Sequence, residues 1–124
     1  GASPCRGDAD DRRRTVVNPS AVPMQGEVWW AEGLDKRRPV LVVTRSAIIP
    51  VLSTIVVAPV TRTIREIPTE LPLGPDEGLP EECVASFDNL ETVPWRGLLT
   101  TRLGVLSAAR RPELCAALRM MSAC

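Results

Sequence analysis

The chain has 124 residues, 44% of them hydrophobic but only 3% aromatic, and its fifteen basic side chains balance fifteen acidic ones. That length predicts one domain with a core of Val, Leu, Ile and Ala, and neither a span of ~18 apolar residues nor a signal peptide is present, so a cytoplasmic, non-membrane protein is expected. The chain contains no histidine, which excludes Ser-His-Asp and Cys-His catalysis and any imidazole acid–base pair.

Residues 1–23, GASPCRGDADDRRRTVVNPSAVP, are polar, charged and aperiodic. They read as a disordered extension or an expression-derived tail, with the folded domain at 24–124. Strands follow at Gly26–Gly33 (GEVWWAEG) and, after the short charged turn LDKRR, at 38–45 (RPVLVVTR). The unbroken apolar run of the second predicts burial on both faces. SAIIPVLS holds one helical turn broken by Pro50. Thr54–Thr61 is the third strand, and Pro59, which has no N–H to donate, predicts a bulge or an unpaired edge there. TELPL is a fourth short strand, ahead of the acidic loop GPDEGLPEE. Cys83–Phe87, Leu90–Val93 and TRLGVL (101–106) complete the set. A helix then starts near Pro112, a residue suited to the first helical position, with Leu114, Leu118 and Met121 as its apolar stripe. Many short strands followed by one helix predict a mostly β fold, a small twisted antiparallel sheet or barrel covered by a C-terminal helix.

The four cysteines, Cys5, Cys83, Cys115 and Cys124, form no C-x-x-C pair. Free thiols are expected rather than zinc ligands, with Cys83 and Cys115 in the core and no metal or cofactor. Charge is segregated along the chain. Six basic residues and no acid lie between Lys36 and Arg65, and eight acids with no Lys or Arg lie between Glu66 and Glu91. From Thr92 onward, five arginines face one acid, Glu113. This pattern reads as solvated loops or, more sharply, as a basic face for a polyanion and a separate acidic face.

Five stretches occur together and in order: QGEVWW (25–30), RRPVLVVTR (37–45), STIVVAPVTRTIR (53–65), IPTELPL (67–73) and SFDNLETVP (86–94). In this the chain resembles the MazF/PemK family of toxin–antitoxin endoribonucleases, over residues 25–122. The resemblance implies an SH3-like barrel with a C-terminal helix, a homodimer, and metal-independent cleavage of single-stranded RNA. It also implies inhibition by a cognate antitoxin whose extended or helical C-terminal segment fills the RNA groove. Arg38, which precedes Pro-Val, and Thr61, which ends VAPVT, stand at the family's catalytic positions. Lys36, Arg37, Arg62, Thr63, Arg65, Phe87, Asp88 and Asn89 are the substrate-binding candidates. The chain departs from the family in its short LDKRR loop, where many relatives have a long mobile lid. Asn89 and Glu91 stand where many members carry Gln and Arg, and Ser86 stands where some relatives use an arginine.

The chemistry such residues offer is attack of a ribose 2′-hydroxyl on the adjacent phosphate. Arg38 suits phosphate because its planar fork donates up to five hydrogen bonds, and Thr61 adds a neutral donor. Arginine is a poor base, so a carboxylate such as Asp88, or a water, is left to take the proton. Asp88 is assigned first to an amino group on a base edge. Phe87 is the stacking candidate, with core packing as the favoured alternative. Strand alternation turns one of Trp29 and Trp30 outward, toward a dimer interface rather than a base. The competing functions are a gyrase-poisoning toxin on the same fold and a catalytically inactive SH3-like binding module.

Overall fold

In the computed structural model, which describes residues 22–32 and 37–122, the apolar runs become strands. They are β1 (Glu27–Glu32), β2 (Arg37–Val42), β3 (Thr54–Thr61), β4 (Glu70–Leu73), β5 (Cys83–Ser86), β6 (Glu91–Pro94) and β7 (Leu99–Val105), ahead of helix α1 (Arg111–Ser122). Short 3-10 turns occupy Ser46–Val51, Pro75–Glu77, Phe87–Asn89 and Ala108–Arg110. All pairings are antiparallel, in the order β4-β5-β3-β2-β1-β7, with β6 also beside β3. The sheet curls into a half-barrel, and α1 packs against it at β4 and at the turn Phe87–Asn89.

β2 is buried on both faces, as its sequence requires. Its alternate side chains enter two separate cores. Leu41 joins Val28, Ala58, Val60, Leu71, Phe87, Leu106 and Leu114 beneath α1, while Val40 and Val42 join Trp29, Ile49, Ile55, Val57 and Trp95 on the other side. β3 divides in the same way, with Ile55 and Val57 in the second core and Ala58 and Val60 in the first. β2 ends at Val42, sooner than the expected 38–45 and before its apolar run is over. Val43 and Thr44 both send their N–H to the Val56 carbonyl, and Val56 N–H goes to Thr44 Oγ1, so the ladder breaks in a bulge-like kink.

β3 has neighbours on both sides along most of its length, but at Pro59 one side is unpaired, as the proline predicts. Pro59 stands opposite Val40 in the β2–β3 ladder. Val56 presents its carbonyl to the β2 side, so by strand alternation Pro59 turns its donor-less nitrogen to the opposite side. There β6 has ended at the Val57↔Glu91 pair and β5 begins only at Val60↔Ala85. The missing N–H therefore falls in the gap where β3 changes partner.

Two helix expectations need correction. Cys115 is exposed and Met121 is 41% exposed. Leu114 and Ala117 carry the buried stripe instead, with Leu118 packed beside them. Cys115 follows Leu114 by one residue, about 100° around the helix, which turns it away from the sheet. Cys83 is buried as expected. Trp29 is the inward tryptophan, and the half-buried Trp30 is covered by the Arg37 guanidinium 4.4 Å from its ring centre. Of residues 1–23, only Val22 and Pro23 lie among those described, and Val22 packs against the second core. Among the described residues no helix is long and apolar enough to cross a membrane.

The acidic loop is pinned to the sheet by two glycines. Gly78 has φ +87°, and a Cβ there would overlap the Leu103 carbonyl of β7, while a Cβ at Gly104 would overlap the Glu77 carbonyl. Glu77 is buried; it accepts the Gly74 N–H at 2.6 Å and the Arg110 guanidinium at 3.2 Å.

Candidate active site

The β2–β3 register pairs Val40 with Pro59. One more pleat along each strand brings Arg38 and Thr61 to the mouth of a single groove of about 840 Å³, which both line. The apolar run of β3 thus ends where its backbone leaves the core, and its last residues carry hydroxyls and guanidiniums because they face that groove. Arg62, Thr63 and Arg65 line it, as do Arg37 and Asn89. Leu79, Pro80 and Glu81 of the acidic loop form the facing wall. Lys36 lies outside the described residues.

Thr61 Oγ1 accepts the backbone N–H of Thr63 at 3.2 Å. Its acceptor side is engaged, and its own proton remains to be donated. Arg38 is half-exposed and holds the Glu91 carboxylate at 3.1 Å. Arg62 holds Glu81 at 2.7 Å. Arg65 is bound twice, to Glu70 at 2.9 Å and to Asp88 at 3.4 Å. Arg37 pairs with Glu32 at 3.0 Å while stacking on Trp30.

These pairs revise the reading of the charge blocks as two faces. Residues 37–65 of the basic segment and the acidic segment 66–91 fold onto each other, and each of the groove arginines 38, 62 and 65 meets a carboxylate from the acidic block. The signal was present in the sequence as adjacent blocks of opposite sign, which the curling of β3 to β6 closes like facing pages.

Glu70 is the best-held carboxylate. Its side chain is 2% exposed. It accepts the N–H of Arg65 at 2.8 Å, that of Glu66 at 3.0 Å and the Arg65 guanidinium. Burial works to raise its pKa, and the bonds from the Arg65 N–H, the Arg65 guanidinium and the Glu66 N–H outweigh it, so the carboxyl sits below the ordinary 4.5. This clasp fixes the turn after β3, including Glu66, whose φ of +57° is unusual for a residue with a side chain.

Two sequence candidates land elsewhere. Phe87 is 0% exposed in the core beneath α1, so no ring face is left for a base, and its role is packing. Asp88 is bound to Arg65 at 3.4 Å and to the Thr69 hydroxyl at 2.9 Å and is not part of the groove lining. Asn89 reaches the groove and donates to Ser86 Oγ at 2.9 Å. Sequence reasoning missed Glu81 and Glu91 as groove residues. Cys83 also lines the groove, but burial first, and then the neighbouring Glu81 charge against a smaller opposing effect of Arg62, pushes its thiol pKa up. It stays a protonated thiol, a poor nucleophile. Among the described residues no three Cys, Asp or Glu side chains are grouped as a metal's ligands would be.

The chain is similar to known proteins in sequence and in fold. The chain is 39% identical over 107 residues to a protein named probable endoribonuclease MazF5 of Mycobacterium tuberculosis, covering 85% of this chain and 97% of that one. It superposes on the structure of Mycobacterium tuberculosis toxin MazF-mt6 with a TM-score of 0.70 at 38% identity, over 76% of this chain and 93% of that one. A further likeness, with TM-score 0.69 and 28% identity over 79% and 92% of the two chains, is to a mycobacterial endoribonuclease solved in complex with its cognate antitoxin. Residues 24–122 match the model of the PemK-like, MazF-like toxins of type II toxin–antitoxin systems, and the chain belongs to that family.

Proposed function

We propose that this toxin is an endoribonuclease of the cytoplasm that cleaves single-stranded RNA at a short recognition sequence, acts as a homodimer, and is silenced by a cognate antitoxin whose C-terminal segment occupies the groove. The observation that carries the reading is the convergence of Arg38 and Thr61 on one groove, in a chain whose relatives are named endoribonucleases.

In the reaction the 2′-hydroxyl attacks the adjacent phosphorus. Arg38 exchanges Glu91 for the phosphate and holds two of its oxygens in a bidentate grip, which tightens as the phosphorane gathers charge. Thr61 donates its free proton to the same oxygens. Arg62, Thr63 and Arg65, with Arg37 across the groove, track the flanking phosphates, and Lys36, next to Arg37 in sequence, adds a further positive charge. Asn89, which lines the groove, presents its amide to a base edge, while Asp88 acts from outside it by holding Arg65. Charge stabilisation by Arg38 gives the reaction a route that needs no metal.

The test is cleavage of a long defined RNA with end mapping, in EDTA. The expected outcome is cuts at a recurring short word, leaving a 2′,3′-cyclic phosphate and a 5′-hydroxyl. Loss of cleavage in chelator with recovery in magnesium would overturn the metal-independent route. Intact RNA alongside blocked gyrase supercoiling would favour the gyrase-poison reading, and intact RNA with no effect on gyrase the inactive module.

A further inference from the structure

The proposed reaction lacks a group to remove the 2′-hydroxyl proton, and the groove offers few. There is no histidine in the chain. Cys83 is held as a thiol by burial and by Glu81. Asp88, the carboxylate that the sequence points to, is engaged by Arg65 and Thr69. Two carboxylates line the groove, Glu81 and Glu91. Glu81 is fastened to Arg62 at 2.7 Å on the wall of the acidic loop. Glu91 rests on Arg38 itself, at 3.1 Å, and is 40% exposed.

We propose that Glu91 is the general base of the cleavage reaction, taking the 2′-hydroxyl proton from its place beside Arg38. The assignment rests on the ribonuclease reading above and goes beyond the expectation of Asp88 or water. A phosphate oxygen that takes over the Arg38 hydrogen bond must sit about 3 Å from that guanidinium, which is where the Glu91 oxygen now sits. The displaced carboxylate stays tethered at the first residue of β6, fixed by the Val57↔Glu91 pair. The ribose hydroxyl that attacks lies next to the bound phosphorus, so it comes within reach of the carboxylate that the phosphate displaced. Arg38 bridges the two anions and offsets their repulsion.

The step balances. The O2′–H proton passes to a Glu91 oxygen as O2′ bonds to phosphorus. The P–O5′ bond then breaks, O5′ takes a proton from water, and Glu91 returns its proton to solvent. The products are a 2′,3′-cyclic phosphate and a 5′-hydroxyl.

The experiment is single-turnover cleavage of one labelled RNA by wild type, Glu91→Gln and Glu91→Ala. Alongside it, affinity is measured for the same RNA blocked by a 2′-O-methyl group at the cut, and melting temperature reports the fold. Glutamine keeps an oxygen to accept from Arg38 but cannot take a proton. Both variants are expected to slow cleavage by about 100-fold or more, the usual scale of general-base catalysis, with blocked-RNA affinity and melting temperature close to wild type. Glu91→Gln cutting within about threefold of wild type overturns the assignment. If Glu91→Ala alone is then slow, Glu91 merely holds Arg38 in place. Wild-type protein that leaves every RNA uncut would instead sink the ribonuclease reading, and the base assignment with it.

Discussion

Glu70 and Glu91 each hold a groove arginine, by the same chemistry and to opposite ends. Glu70 is 2% exposed and meets Arg65 with two backbone N–H groups closing around it. Glu91 is 40% exposed and has the single bond to Arg38. An exposed ion pair contributes about 0–1 kcal/mol, so a phosphate can replace Glu91 at little cost. A buried carboxylate that satisfies backbone donors is expensive to disturb. Burial therefore divides the arginines of one groove into a fixed one, which shapes the turn, and an exchangeable one, which is available to substrate.

That contrast can be broken most sharply at Arg38. Arg38→Ala should lower single-turnover cleavage by about 100- to 1,000-fold, the scale of losing one preorganised donor, while the melting temperature holds. Arg38→Lys should also fail, since a point charge cannot make the bidentate contact. Thr61→Ala should lose less than Arg38→Ala, and Thr61→Ser should keep more than Thr61→Ala. A wild-type rate for Arg38→Ala would show that the two ion pairs do not differ in the way argued.

Glu70→Ala tests the opposite side. It should cost about 1–3 kcal/mol in chemical denaturation by orphaning the Arg65 and Glu66 N–H groups. The pH dependence follows from the lowered pKa of Glu70. A carboxyl held low in the fold stabilises it fully above the unfolded value, and that stability is lost as pH falls through the folded one. The stability gap between wild type and Glu70→Gln should therefore be open at neutral pH and close below the ordinary 4.5. A gap that persists unchanged in acid would contradict the clasp. The same geometry makes Arg65→Ala a poor probe of RNA affinity, because it strips Glu70 of its guanidinium.

Arg62 gives the smallest and cleanest effect. Its partner Glu81 is exposed, so Arg62→Ala should leave the fold intact and weaken binding of blocked RNA. The slope of log affinity against log salt should fall by about 0.7, one single-strand phosphate contact. An unchanged slope would remove Arg62 from the RNA path.

The strands were legible because their signal is local. β3 runs Thr54–Thr61 as its composition predicts, and the unbroken apolar run of β2 does lie between two cores. Arg38 and Thr61 were legible through the order of five short stretches, each weak alone. What the sequence hid was pairing at a distance. Glu91 reaches Arg38 across 53 residues, through a β3–β6 ladder that no periodicity reveals. Phe87 was ambiguous for a different reason. It stands beside polar Asp88 and Asn89, yet the 3-10 turn they share points it alone into the core. Cys115 was misplaced because apolar character was read without the angular step from Leu114.

The seam between Gly78 and β7 has a mechanical consequence. The groove wall at Leu79, Pro80 and Glu81 follows directly on a backbone contact too close for any side chain. Gly74 and Arg110 hold the same loop at Glu77. Such a wall is a rivet rather than a hinge. Opening it would mean breaking the Glu77 bonds to Gly74 and Arg110, so traffic through the groove runs on rotating side chains, and whatever threads it meets a slot of preset width.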